Sequence, residues 1–326
     1  MKDRFGRTID YLRISITDRC NLRCFYCIPP EGIAAKPREE ILRLEEVLDV
    51  AKIALQLGID KIRLTGGEPL LRKGIILFIK ALNLLPGLKD LAITTNGLLL
   101  PELGEQLRRA GVRRLNISLD TLDPDAYRKI TGGGDFNLVW EGITRAISLG
   151  FDPIKINAVA LKGVNDDQWV KLARLTGQYP LNVRFIELMP VGSSWEMAGD
   201  RYATCQEVQD RIENALGKLI PAEAMAGNGP AQYFRLLGAA GTIGFIHAMS
   251  DRFCASCNRL RLTADGKLRP CLLGQQEVDL RQALRSGASD QELQSLFRKA
   301  ILIKSSNYQQ STGSSSERRV MAQIGG

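Results

Sequence analysis

From residue 12 to about 217 the chain repeats one pattern, a short β-branched run followed by a stretch of helical periodicity. The runs expected to be strands cover residues 12–17, 61–65, 91–95, 114–120, 154–161 and 183–189. The clearest amphipathic stretch between them carries Leu44, Val47, Leu48, Ala51, Ala54 and Leu55, gathered on one face by spacings of three and four. Strands joined by helical crossovers pair in parallel and need helices to cover the sheet. Six such units without a reversal predict an α/β fold, a partial (β/α)6 barrel rather than a doubly wound sheet. A chain of 326 residues has room for this barrel at 1–220, an extension at 221–304 and a tail at 305–326.

Past residue 217 the rhythm changes. A Gly/Pro/Ala stretch at 222–231 leads into β-rich runs at 233–237 and 242–246. Residues 260–263 and 268–271 flank Ala264-Asp265-Gly266-Lys267 and read as a hairpin, because Asp-Gly accepts the positive φ of a tight turn. Two short helices are expected near 277–285 and 290–303. The result is a cysteine-rich α+β extension, expected to close the barrel mouth. Residues 305–316 are polar and Ser-rich and read as a flexible tail, which ends in Arg318-Arg319 and Gly325-Gly326.

The chemistry of such barrels collects at the C-terminal ends of the strands. A cysteine triad follows the first expected strand, Thr65-Gly66-Gly67-Glu68-Pro69 the second, Thr94-Thr95-Asn96-Gly97 ends the third and Ser118-Leu119-Asp120 the fourth. Met189-Pro190-Val191-Gly192 ends the sixth, so one mouth receives them all. Six of the seven cysteines fall into two groups, Cys20-x3-Cys24-x2-Cys27 and Cys254-x2-Cys257-x13-Cys271. That grouping suits metal ligation better than a disulfide framework. Four thiolates usually hold a 4Fe–4S cluster, so three leave one iron open, and Tyr26 puts a ring beside the first triad. For the second triad a zinc site completed by His247 is the alternative. Cys205 stands alone and reads as a small buried apolar residue on a helix.

One histidine in the whole chain excludes His-rich zinc catalysis. A net charge of +8 favours an anionic partner, either a phosphorylated small molecule or a nucleic acid. Nucleic acid is disfavoured by the lack of Lys/Arg runs and by an aromatic content of 6%. No P-loop motif is present, the apolar stretches are too short to span a membrane, and the charged start predicts a cytoplasmic chain. Arg13 and Lys155 alternate with apolar residues of their strands and are expected to point into the barrel.

The segment from Asp18 to Cys27, with Gly66-Gly67-Glu68-Pro69, resembles the radical S-adenosylmethionine superfamily. The segments 116–122, 184–192 and 254–271, with the terminal Gly-Gly, narrow the resemblance to the GTP 3′,8-cyclase family of molybdenum cofactor biosynthesis. It covers residues 5–274 and the chain end. The resemblance implies a lyase with two 4Fe–4S clusters that converts GTP to (8S)-3′,8-cyclo-7,8-dihydroguanosine 5′-triphosphate. It places one cluster on Cys20, Cys24 and Cys27 and the other on Cys254, Cys257 and Cys271. It assigns Tyr26, Gly67, Glu68, Ser118 and Met189 to S-adenosylmethionine. Arg13, Arg63, Thr94, Lys155, Arg184, Arg259, Leu260 and Arg261 fall to GTP, with Arg259 and Arg261 aiding the closing reduction. An external electron donor, a homodimer and coupling to the cyclic pyranopterin monophosphate synthase that takes the product are also implied. Two rivals remain, a two-cluster enzyme acting on a peptide and a zinc-stabilised nucleic-acid-binding module.

Overall fold

The computed structural model describes residues 1–29, 31–34, 36–192, 199–223, 229–307 and 319–325. Its first part alternates strand and helix as the pattern predicts: β1 Tyr11–Ser15, α1 Leu44–Gln56, β2 Lys61–Thr65, α2 Ile75–Asn83, β3 Asp90–Thr95 and α3 Leu100–Arg109. Then come β4 Arg114–Ser118, α4 Pro124–Thr131, α5 Phe136–Ser148, β5 Ile154–Ala160, α6 Trp169–Gln178, β6 Leu181–Glu187 and α7 Cys205–Leu216. The remainder holds β7 Ile220–Pro221, β8 Gln232–Arg235, β9 Thr242–Ile246, β10 Arg259–Leu262, β11 Lys267–Arg269 and β12 Val278–Asp279. Helices α8 Leu280–Arg285, α9 Asp290–Leu302 and α10 Met321–Ile324 complete it.

All twelve strands form one sheet, ordered β12-β11-β10-β1-β2-β3-β4-β5-β6-β9-β8-β7. The six expected strands are parallel neighbours. The extension does more than cover their mouth. Its β9 adds a parallel strand beside β6, and β10 adds one beside β1, so the parallel run is lengthened at both edges. Antiparallel β11 and β12, and β8 and β7, continue outward from these. The expected hairpin is β10–β11, paired Arg261 to Arg269.

Strand alternation sorts the side chains. Leu12, Ile14, Ile62, Leu64, Ile93, Leu115, Ile117, Ile156, Val183 and Phe185 face the helices in one apolar core with Val47, Ile79, Leu107, Val139, Ile143 and Leu172. Each is essentially inaccessible, and burying such a side chain stabilises by about 1.5–3 kcal/mol. The opposite face is polar: Arg13 lies between Arg261 and Arg63, and Asn116 between Thr94 and Lys155. Barrel interiors of this kind are usually packed with branched apolar residues. Here the interior is instead a buried surface of cations and amides.

The tail departs from its sequence reading. Residues 305–307 are described, the rest of the Ser-rich run and Arg318 lie outside the described residues, and 319–325 returns as ordered structure. Ala322 and Ile324 on α10 are buried, and the Arg319 guanidinium bonds both oxygens of Asp265 at 3.0 Å and the carboxylate of Glu277. A bidentate ion pair and two apolar contacts outweigh the low intrinsic order of a polar tail. Gly326 lies outside the described residues.

Candidate active site

The first triad occupies the loop that leaves β1. Cys20, Cys24 and Cys27 are each half-buried and unpaired. Amides of Arg23 and Phe25 donate to the carbonyls of Thr131 and Ile130 at the end of α4, while Cys27 and Ile28 turn back onto the Cys24 carbonyl. The loop after β2 packs directly behind it. The amides of Gly67 and Glu68 donate to the carbonyls of Thr17 and Arg19, both at 2.8 Å. A Cβ at Gly67 would lie 2.3 Å from the Arg19 carbonyl oxygen, and Gly66 holds φ +149°, so only glycine permits this approach.

Burial pushes the Cys24 thiol well up and Cys27 to about 12, with neighbouring thiols adding to the effect. Cys20 is raised for the same first reason. Three thiols gathered without a cation become thiolates when a positively charged inorganic centre takes their protons' place. At the second triad Cys254, Cys257 and Cys271 are again half-buried. Burial alone would raise Cys257, but Lys304 and Arg259 beside it bring the thiol down to about 7.

Thiolates on a single zinc ion, with Zn–S near 2.3 Å, sit about 4 Å apart. Among the described residues, the set of three ligand atoms within 4.8 Å of one another is Glu187, Cys205 and His247, and neither cysteine triad is so tightly drawn. The wider spacing suits a multi-iron cluster. His247, the residue that would complete a zinc site at the second triad, lies instead against Glu187, 4.0 Å away, and Ser250. Glu187 itself is filled: Oε1 accepts from the amide of Cys205 and the hydroxyl of Ser250, Oε2 from the amides of Met249 and Ser250. It ties the end of β6 to the start of α7 and to the loop after β9. Cys205 is fully buried at the start of α7.

The residues expected around S-adenosylmethionine gather near the first triad. The Tyr26 hydroxyl donates to Asp120 Oδ2 at 2.6 Å, while Asp120 Oδ1 accepts the Val159 amide at 2.8 Å. Burial raises the Asp120 carboxyl to about 6. Ser118 ends β4, half-buried, and Met189 lies just beyond β6. Glu68 is 1% exposed and accepts from Leu70 N, Thr95 Oγ1 and Asn96 N at 3.0, 2.8 and 2.7 Å. Burial pushes it up to about 7. These bonds fasten the β2 loop to the β3 loop and leave about one carboxylate acceptor position open.

The residues expected around GTP form the polar barrel wall. Arg13, Arg63, Lys155, Arg184 and Arg261 are each at most 9% exposed. Arg184 is held by amide oxygens, Nη2 on Asn116 Oδ1 at 2.7 Å and Nε on Asn157 Oδ1 at 2.9 Å, which orient the guanidinium without neutralising it. Among the described residues Arg63, Arg184, Arg259 and Arg261 have no carboxylate partner, and Arg63 Nε, Thr94 Oγ1 and Arg259 Nε are buried without a hydrogen bond. Burial and neighbouring cations push Lys155 down to about 6, while burial brings Arg184 and Arg261 to about 10. The Gly325 carbonyl enters the same space, accepting from Arg261 Nη1 at 3.0 Å and Arg13 Nε at 3.4 Å. Leu260 is the exception. Its side chain is fully buried in the apolar core because it alternates with Arg259 and Arg261, so only its backbone can face a ligand.

Sequence reasoning did not assign Asp120, Asn116, Asn157, Glu187, Arg7 or Lys304. The first two and Glu187 stand within motifs already singled out. Asn157 and Lys304 carry no local signal, because their partners are remote in the chain, and the Asp3 partner of Arg7 gives no hint of its reach to Cys254.

A polar, cation-lined parallel barrel with a cysteine triad at the first strand end defines a radical S-adenosylmethionine enzyme. Residues 14–176 match the family described as the radical SAM superfamily, and residues 181–310 match Molybdenum Cofactor Synthesis C. SuiB of Streptococcus suis, solved bound to S-adenosylmethionine, shares the fold at a TM-score of 0.60 and 16% identity, over 88% of this chain and 68% of that one. Relatives named GTP 3′,8-cyclase from Pelotomaculum thermopropionicum and Desulforamulus reducens are 52% and 49% identical, each over 100% of both chains. The chain belongs to the GTP 3′,8-cyclase family. Its cofactors are accordingly 4Fe–4S clusters and S-adenosylmethionine.

Proposed function

We propose that the barrel holds GTP between two 4Fe–4S clusters and catalyses its 3′,8-cyclisation, the first step of molybdenum cofactor biosynthesis. Cys20, Cys24 and Cys27 would hold the first cluster, and Cys254, Cys257 and Cys271 the second, each leaving one iron open. When bound, the first cluster would supply the electron for reductive cleavage of S-adenosylmethionine, and the cleaved cofactor would supply the hydrogen-abstracting chemistry that the 3′,8-cyclisation of GTP requires.

The chain's own part is to bind, orient and exclude water. Tyr26, Gly67, Glu68, Ser118 and Met189 surround the cofactor. Tyr26 is fixed by Asp120, and the remaining acceptor position on Glu68 suits an ammonium group. Arg13, Arg63, Lys155 and Arg184 receive the triphosphate, and Thr94 offers a hydroxyl. Arg259 and Arg261 stand on β10, close in sequence to the second triad, where they stabilise the reduced product. An electron donor outside the chain reduces the clusters, and the product passes to the cyclic pyranopterin monophosphate synthase.

The observation that carries this reading is the row of buried cations inside the barrel, of which Arg63, Arg184 and Arg261 have no carboxylate partner among the described residues. A triphosphate satisfies them, whereas a peptide substrate brings no comparable charge. Anaerobically reconstituted protein given dithionite, S-adenosylmethionine and GTP is expected to form 5′-deoxyadenosine only when GTP is present, with guanosine a poor replacement. A yield indifferent to GTP overturns the reading.

A further inference from the structure

Lys304 follows α9 and is 2% exposed, an unusual place for an ammonium group. Its three donors are all used: Nζ lies 3.3 Å from Cys257 Sγ, 3.0 Å from the Arg259 carbonyl and 2.6 Å from the Pro270 carbonyl. Pro270 immediately precedes Cys271, so one ammonium joins the Cys257 side of the second triad to the Cys271 side. The neighbouring segment is pinned as well. Arg7 donates to the carbonyls of Cys254 at 2.6 Å and Ser305 at 2.9 Å, with its Nε on Asp3. Two buried cations from opposite ends of the chain thus bind backbone or sulfur at each part of the triad.

We infer that Lys304 is a positioning residue of the second cluster, donating a charge-assisted N–H···S bond to the Cys257 ligand and raising that cluster's reduction potential. The inference rests on the second triad holding a 4Fe–4S cluster. Hydrogen bonds to ligand sulfurs and nearby positive charge both favour the reduced, more negative state of such a cluster. Carbonyl bonds to Arg259 and Pro270 fix the ammonium in place, so it cannot swing to solvent when the cluster changes charge. Among the described residues the sulfurs of the first triad are bonded by no lysine: Cys20 receives the Leu22 and Asn21 amides and the Asn96 side chain, Cys24 bonds with Tyr26 and Cys27 receives the Ala322 amide. This asymmetry separates the potentials of the two clusters, the second being easier to reduce.

The test uses full-length chains in which Cys20, Cys24 and Cys27 are replaced by Ser, leaving the second cluster to be titrated by electron paramagnetic resonance, with parallel chains that keep all cysteines for iron counting. Lys304→Met keeps the stem and removes the donors; Lys304→Gln restores a neutral donor. The expected result is a fall in the second cluster's midpoint for Lys304→Met of at least a tenfold change in the reduced-to-oxidised ratio, about 59 mV for one electron. Lys304→Gln is expected to fall between. Selective loss of the second cluster's iron from both variants, with the first cluster retained, would equally support the assignment. An unchanged midpoint with full iron, or loss of both clusters together, would overturn it. If the unsubstituted chain carries iron at the first triad alone, the two-cluster reading itself is overturned, and that outcome is recognised without any Lys304 variant.

Discussion

At the scale of a residue, Lys155 shows how burial tunes the cation wall. Its ammonium is buried on β5, 5.7 Å from the centre of the Tyr233 ring. Burial first, and the cations Arg184, Arg114 and Arg63 next, lower it from 10.5 to about 6. Without ligand it is therefore mostly neutral at pH 7.5. A bound polyphosphate supplies the opposite charge and raises it, so binding takes up a proton. The contribution of Lys155 to GTP affinity is then flat below pH 6 and falls as pH rises from about 6 toward the pKa of the complex, at up to tenfold per pH unit. Calorimetry at pH 7.5 in buffers of different ionisation enthalpy is expected to register this uptake in the native chain and to lose it in Lys155→Met. No difference between the two would show that Lys155 keeps its charge in the free protein. The inward direction of Lys155 was legible from strand alternation. Its depressed basicity was not, because Arg184 and Arg63 come from other strands.

At the scale of an element, α10 is anchored at its start by the residue Arg319. Arg319 enters a cluster with Asp265 on the β10–β11 turn and Glu277 before β12. Burial would raise Asp265, but Arg319 and Thr263 bring it down to about 2. Because this folded value lies below the ordinary 3.8, the anchor's contribution is complete above pH 4 and fades as pH falls toward 2. Removing the cation leaves Asp265 with Lys36 at 3.2 Å and Glu277 with Arg269, so neither carboxylate is stranded, but every side-chain bond that ties Arg319 and the start of α10 to the β10–β11 turn is lost. Charge-assisted hydrogen bonds of this kind contribute about 1.5–3 kcal/mol each, enough to matter to a helix of four residues. Arg319→Met is expected to abolish hydrogen-exchange protection over 320–325 while β1 to β6 keep theirs; retained protection would place the anchor elsewhere. The sequence reading fared differently by element. Strands β1 to β6 were legible from local patterning, whereas β9 and β10 joining the barrel edges, and α10 docking inside, follow from contacts between distant segments. A Ser-rich stretch and two small terminal residues carry no periodicity from which such docking could be read.

At the scale of the whole molecule, the barrel stores repulsion. Arg13 is flanked in register by Arg63 and Arg261, and burial first, with repulsion from these two next, lowers its basicity well below the usual value. The apolar core outside the strands must hold these cations together, since among the described residues no carboxylate neutralises Arg63, Arg184, Arg259 or Arg261. A ligand that relieves repulsion binds the folded chain alone and stabilises it by RT ln(1 + [L]/Kd), about 2.7 kcal/mol at a hundredfold excess over Kd. Charge, not the guanine ring, should dominate this effect in the cluster-free protein, where the open iron that would receive the base is missing. Thermal unfolding of the cluster-free chain is therefore expected to shift upward in the order guanosine, GMP, GDP, GTP, with inorganic tripolyphosphate close to GTP. Buried cations are screened less than surface ones, so the ordering is expected to survive 0.15 M salt, where exposed charges interact weakly beyond about 8 Å. A shift equal for guanosine and GTP would mean that the base rather than the cation row carries recognition, and would move the substrate's anchoring from the barrel wall to the second cysteine triad.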